Sequence, residues 1–478
     1  MSKRRGSLND EIEAKARNIV VAEEEQQHGD EVFAAPVNEL LPPIFNLIVD
    51  CCFAIFDWLP LDDLHSFGQT CKWAQQVAGT YFQTNFSSTT ISSYRKDGFQ
   101  VDYFGVLHNS FYTRHSTNVN SFSRFFRELM IPESYILPFQ NVEANCGASI
   151  KHITLRLYLS PLKIKCLKGV LQQIEGIRLQ NCSIAGEFHD KFLRFCKNLR
   201  GLCVSDITGR MMGNGNDWLL RKYPTLEHFG LATGAVKIDE LKVFFEQNPN
   251  IRSFETRADF LWANKEMFMA ANAMQLDTLT IFANYCNKKK HSLYNLLNKL
   301  HENGFYKQLR LQLDSETELE HLISLRGLQK LMLNESIERA DALRTPFVNL
   351  RAIYLGYNSK TDVLDAEKLA RNLVNIEQVN IRYVSIENII PFIRHCAKLR
   401  TIKAGSFTDS SKKLSSVFKS WNREREKLSG ATIVTVHVHE KDFLEVKWTR
   451  SNISYSLVEL KRQNTFNWER DFYYTKPF

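Results

Sequence analysis

The chain has 478 residues, 44% hydrophobic and 24% charged, with a formal net charge of +8 from 61 Lys and Arg against 53 Asp and Glu. This composition excludes wholesale disorder and allows more than one core; the small basic excess, diluted over a large surface, is a weak pointer to acidic partners. Ten cysteines lie scattered, without the spacings of a secreted disulfide scaffold or a zinc site, so reduced thiols and a cytoplasmic or nuclear location are expected.

Residues 1–35 are polar, with a basic start and an acidic run at Glu23 to Glu25. They hold too few large apolar residues for a core and read as a flexible tail; no apolar stretch follows the basic start, so no secretory signal is expected. Residues 41–61, LPPIFNLIVDCCFAIFDWLPL, approach the length of a bilayer span. Asp50 and Asp57 argue against insertion, each costing roughly 2.5 to 3.5 kcal/mol at a helix centre, and Pro42, Pro43 and Pro60 break the run. Residues 40–86 are therefore expected as a small module of two or three short helices. Ile48, Cys51, Cys52 and Ile55 share one face, and Leu64, Phe67 and Cys71 share the next. A turn through Trp58-Leu59-Pro60 separates the first two helices, with Asp62 or Asp63 as N-cap. Residues 87–145 are rich in Ser, Asn, Tyr and Phe without a period, and are read as a linker or N-terminal cap.

From residue 146 to about 425 the pattern apolar-x-x-apolar-x-apolar recurs eleven times. It starts at Ile150, Ile174, Leu199, Leu226, Ile251, Leu276, Tyr306, Leu328, Leu350, Ile376 and Leu399, a mean step of about 25 residues. Phe192 to Arg200 and Phe392 to Arg400 agree at five positions, Phe, Arg, Cys, Leu and Arg, which is internal similarity beyond the strand pattern. The expected fold class is α/β: a solenoid of stacked coils, with strands in one parallel sheet on the concave side and helices such as 239–247 and 366–373 on the convex side. No coil buries its apolar face alone, so stacking supplies the core. Residues 426–478 alternate with period two over Thr432 to His439 and again over Phe443 to Trp448, which predicts a C-terminal β-rich hairpin cap.

The strand motifs and the continuation Ile174-x-x-Ile-x-Leu-x-x-Cys182 resemble the leucine-rich repeat. Residues 47–82 resemble the F-box: Leu47, Ile55, Phe56, Leu59, Pro60, Asp63 and Leu64 fall on its pattern, and Asp50 stands for its Glu. Departures are Ile48 for the early Pro, Cys51-Cys52 for the Ile-Leu pair, and Cys71 and Trp73 one residue closer than usual. The resemblance implies the substrate-recognition subunit of an SCF-type cullin–RING ubiquitin ligase. The F-box would dock to a Skp-type adaptor through Leu47, Ile55, Phe56, Leu59, Pro60 and Leu64, while the repeats hold a target protein. A module of about 40 residues with surplus apolar side chains calls independently for a partner. The alternatives are a stand-alone repeat scaffold in which the segment is only a cap, and nucleic-acid binding, which the scarcity of aromatic residues beside the basic ones disfavours.

In each strand the residues between the apolar ones face the concave surface. Arg156, Arg178, Arg257, Arg310, Lys330, Arg382 and Lys403 occur there against one carboxylate, Glu255. An acidic or phosphorylated target is expected over Arg156, Arg178, Arg257, Arg310, Lys330 and Arg382, with Tyr354, Phe282 and Met332 as apolar anchors. No catalysis, cofactor or metal is expected: Gly213-Asn-Gly-Asn-Asp217 lacks the Lys-Ser/Thr of a phosphate loop, and His437 and His439 have no further ligand at metal spacing.

Overall fold

The computed structural model describes residues 47–85, 90–95, 98–102, 116–118, 120–125, 128–131, 148–156, 158–180, 182–184, 191–205, 217–232, 236–270, 275–283, 290–313, 319–333, 345–356, 363–407, 414–449 and 455–463. The expected tail at 1–35, the stretch 213–216, Cys146, Cys286 and the side chain of Arg382 lie outside the described residues.

Three helices open the described residues: α1 (Val49–Phe56), α2 (Leu61–Gly68) and α3 (Lys72–Asn85). Pro60, extended at the N-cap, starts α2, and Asp62 and Asp63 lie in its first turn, where carboxylates are favoured by the helix dipole. The module buries Val49, Cys52, Phe56, Leu61, Leu64, Val77 and Tyr81. Tyr81 meets Phe53 and Phe56 edge-on, at ring centroid separations of 5.3 and 5.5 Å, and its hydroxyl donates to Asp57 Oδ1 at 2.6 Å. The two apolar stripes of α1 are thus sorted differently from the expectation. The stripe carrying Phe53 and Phe56 turns inward because its rings fill the space between α2 and α3. Ile48, Cys51 and Ile55 are left outside.

The antiparallel strands β1 (Thr90–Arg95), β2 (Gly98–Asp102) and β3 (Ser116–Asn118) follow. A 3-10 turn at Asn120–Phe125 then packs Phe122 and Phe125 onto the module. Gly68 and Gly79 make room for those rings: a Cβ at Gly79 would stand 2.0 Å from the Phe125 ring, and one at Gly68 would stand 2.7 Å from Phe122.

After β4 (Glu128–Ile131) the chain winds through its repeats. The strands are β5 (His152–Leu155), β6 (Tyr158–Leu159), β7 (Gly176–Gln180), β8 (Ser183–Ile184), β9 (Gly201–Ser205), β10 (His228–Ala232), β11 (Ser253–Arg257), β12 (Leu276–Ala283), β13 (Tyr306–Leu313), β14 (Leu328–Leu333), β15 (Ala352–Leu355), β16 (Gln378–Val384), β17 (Thr401–Phe407), β18 (Val434–His439) and β19 (Val458–Gln463). All but the short pair β6 and β8 join β4 in one 14-stranded sheet, ordered by sequence from β4 to β19 and parallel throughout. Each of the eleven sequence motifs opens onto one of its strands.

Helices return between strands, among them α4 (Pro161–Cys166), α5 (Lys168–Gln173), α6 (Ile238–Gln247), α7 (Ala258–Ala263), α8 (Lys265–Ala270), α9 (Lys290–Glu302), α10 (Leu319–Ile323), α11 (Val363–Asn372), α12 (Ile386–His395), α13 (Leu414–Glu426) and α14 (Glu440–Thr449). The core is one continuous apolar seam between sheet and helices, running from Ile153 through Leu202, Phe254, Leu309, Ile353 and Ile402 to Leu460. Among the described residues no helix is long and apolar enough to cross a membrane.

Two expectations are corrected. The C-terminal segment is no hairpin: β18 and β19 are parallel and α14 joins them, so it forms one more strand-helix-strand coil. Period-two alternation over 443–448 misled because Phe443 and Val446 are also three residues apart, and that spacing is the one buried in the helix. Residues 128–131, assigned to a linker or cap, form the first strand of the large sheet.

Candidate functional site

Two places gather the residues singled out by the sequence. The first is the concave row in which β5, β7, β9, β10, β11, β12, β13 and β14 align Thr154, Arg178, Cys203, Gly230, Glu255, Thr280, Arg310 and Lys330 side by side. Strand alternation turns their neighbours Ile177, Phe229, Phe254 and Leu309 into the core. Within the row Arg178 reaches across two strands to Glu255, donating from Nη1 to Oε1 at 3.1 Å and from Nη2 to Oε2 at 3.2 Å. The fork is possible because Gly230 stands between them without a side chain; a Cβ there would meet Cys203 Sγ at 2.7 Å. Cys203 Sγ donates to the same carboxylate at 3.3 Å.

Arg310 is 3% exposed; burial pulls its pKa down to about 10, opposed by Tyr354 and Glu255, so it stays charged at neutral pH. His228, one step along β10, is held below its ordinary value by burial and by Arg200 and Arg310, with Glu227 opposing. Tyr354 is 0% exposed and packs with Met332 and Ala352 in a small apolar cluster on the concave side.

The expected open basic face is therefore a filled one at its centre. Arg178 and Arg310 flank one carboxylate instead of standing free for a target, because stacking in register brings Glu255 between them. Arg257 lies two residues beyond Glu255 on its strand and pairs with Asp259 at 2.8 Å. Arg156 donates to Gln180 at 2.6 Å. Lys330 adjoins Arg310 in the row, and Arg382 lies on β16. Among the described residues no cluster of His, Cys, Asp or Glu could hold a metal ion.

The second place is the helical module. Of the residues nominated for the adaptor, Phe56 and Leu64 are interior, Leu59 and Pro60 are half-buried, and Leu47 and Ile55 are exposed. Leu64 and Phe56 fold the module and cannot also be outward contacts. The outward surface is Leu47, Ile48 (58% exposed), Cys51, Ala54 and Ile55 (42% exposed), an apolar face on and just before α1.

Sequence reasoning missed what holds the other side of this module. Arg462 of β19 donates from Nη2 to the carbonyl oxygens of Leu59 at 2.6 Å and Asp57 at 3.1 Å. Lys447 of α14 sits with Nζ 3.9 Å from the Trp58 ring centroid. Its pKa is lowered by burial, with Asp57 opposing and Arg462 adding to the drop. Trp448 meets Trp58 edge-on at 5.9 Å while remaining 72% exposed. The sequence signal was faint: Arg462 breaks the inward apolar positions of the last strand, standing opposite Val438 where an aliphatic residue is expected.

No family model matches this sequence, and no curated protein matches it. Among solved structures the chain is similar to the crystal structure of the Rad7 and Elc1 complex in yeast, with a TM-score of 0.31 and 11% identity over 66% of this chain and 76% of that one. A likeness this loose carries no argument about fold, partner or activity.

Proposed function

We propose that this chain is a non-catalytic recognition subunit of an SCF-type cullin–RING ubiquitin ligase, in which the helical module docks to a Skp-type adaptor and the solenoid holds the target protein. The observation that carries the reading is the exposed apolar face of α1. Ile48 at the N-cap and Ile55 within this eight-residue helix are exposed beside a filled core, and burying such side chains against a partner is worth about 1.5 to 3 kcal/mol each. The docking contacts are accordingly Leu47, Ile48, Cys51 and Ile55, with Leu59 and Pro60 at the margin. The target surface is the rim of the concave face, where Arg156, Arg257 and Lys330 are accessible in part. Its chemistry favours carboxylate or phosphate groups.

A second reading, a stand-alone repeat scaffold whose module is only an end cap, is supported by the bonds from Arg462 to the α1–α2 turn. Co-purification separates the two. The full chain is expected to retain a Skp-type adaptor, and Ile48→Asp with Ile55→Asp is expected to release it while leaving the thermal midpoint unchanged. Failure of the unaltered chain to retain the adaptor would leave the scaffold reading standing.

A further inference from the structure

We infer that the N-terminal module is a clasp that closes the solenoid into a ring by holding its first and last coils at once. The inference is independent of any ligase role. The parallel sheet ends in β4 on one side and β19 on the other, and the end of a solenoid presents strand edges and core that must be covered. One small body reaches both. On its first side Phe122 and Phe125, which lead directly into β4, pack against α2 and α3: Phe122 lies 5.4 Å from the His65 ring and 5.1 Å from that of Phe82, and Gly79 admits Phe125. On its other side the turn at 57–59 receives Arg462 of β19, and Trp58 meets Lys447 over its ring face and Trp448 edge-on, both from α14. These partners lie about 400 residues apart in sequence, 405 for Arg462 and Asp57.

The joint is built from groups withdrawn from water: Arg462 and Lys447 are both buried and meet the backbone carbonyls of Asp57 and Leu59 and the Trp58 ring. The clasp thus makes module and last coil one cooperative unit despite the length of chain between them.

Hydrogen exchange on the full chain tests this, using Arg462→Ala and Trp58→Ala, which cut the joint from opposite sides. Each variant is expected to speed amide exchange at least tenfold in both 49–68 and 434–463, leaving 253–313 within twofold of the unaltered protein. If Arg462→Ala loosens only 434–463 and Trp58→Ala loosens only 49–68, the two ends are not clasped and the inference is overturned. Should Arg462→Ala fail to fold, Arg462→Met provides the same reading, because it keeps an aliphatic stem and carries no donor for the two carbonyls.

Discussion

Glu255 faces Arg178 with both side chains almost withdrawn from water, and this pair fixes what can be changed at the centre of the sheet. Breaking one partner of such a pair costs about 3 to 5 kcal/mol. Glu255→Ala is therefore expected to lower the unfolding free energy by that amount in denaturant melts, while Arg178→Met with Glu255→Leu recovers most of it. Arg425 is another buried cation, wholly enclosed. It donates to the carbonyls of Ile393, Cys396, Ala397, Leu399 and Thr432 at 2.6 to 3.1 Å, tying the C-terminal end of α12 to β17, and burial brings its pKa to about 10. Arg425→Met strands these acceptors and should cost at least about 3 kcal/mol, read from the same melts.

His65 gives the module a pH response of definite sign. Burial against Phe122 holds its pKa below the ordinary value, with Asp62 opposing, so the unfolded chain takes up the proton first. Stability from this group is present above the unfolded value near 6.5 and is lost as pH falls below it. Melts between pH 7.5 and 5.5 should show the decline, and His65→Phe should flatten it.

At the scale of elements, the repeat was legible because its signal is local: a strand of alternating apolar residues every two dozen positions survives whatever the loops do. The sites of Asp239 to Gln247 and Ala366 to Leu373 as helices were legible for the same reason, and the structure has α6 and α11 there. The last coil was misread because six residues of alternation satisfy strand and helix alike, and only the burial of Phe443 and Val446 against the sheet decides between them. The module's helices were legible, but which stripe of α1 faces in was not, since both are apolar and the choice is made by Phe67 and Tyr81 from other helices. The candidate site was legible as residue types, not as a surface. Arg178, Glu255 and Arg310 were seen as a count of charges, whereas strand register makes them a closed cluster. Gly79 is a sharper case: its importance comes from Phe125, and Gly79→Ala should destabilise the contact between module and first coil, visible as faster exchange in 72–85.

For the whole molecule, one small module both touches the last coil and carries a short helix with an exposed apolar face. Clasp and free face lie on opposite sides of the same turn, so a partner that stiffens α1 should also raise the exchange protection of β19 by several-fold. A partner bound elsewhere would leave β19 unchanged. The most direct test of the central claim is calorimetric titration of the full chain with a Skp-type adaptor. Saturable one-to-one binding at micromolar or lower Kd, weakened at least a hundredfold by Ile48→Asp with Ile55→Asp, is the result predicted. Absence of binding by the unaltered chain, or equal binding by the variant, would contradict it.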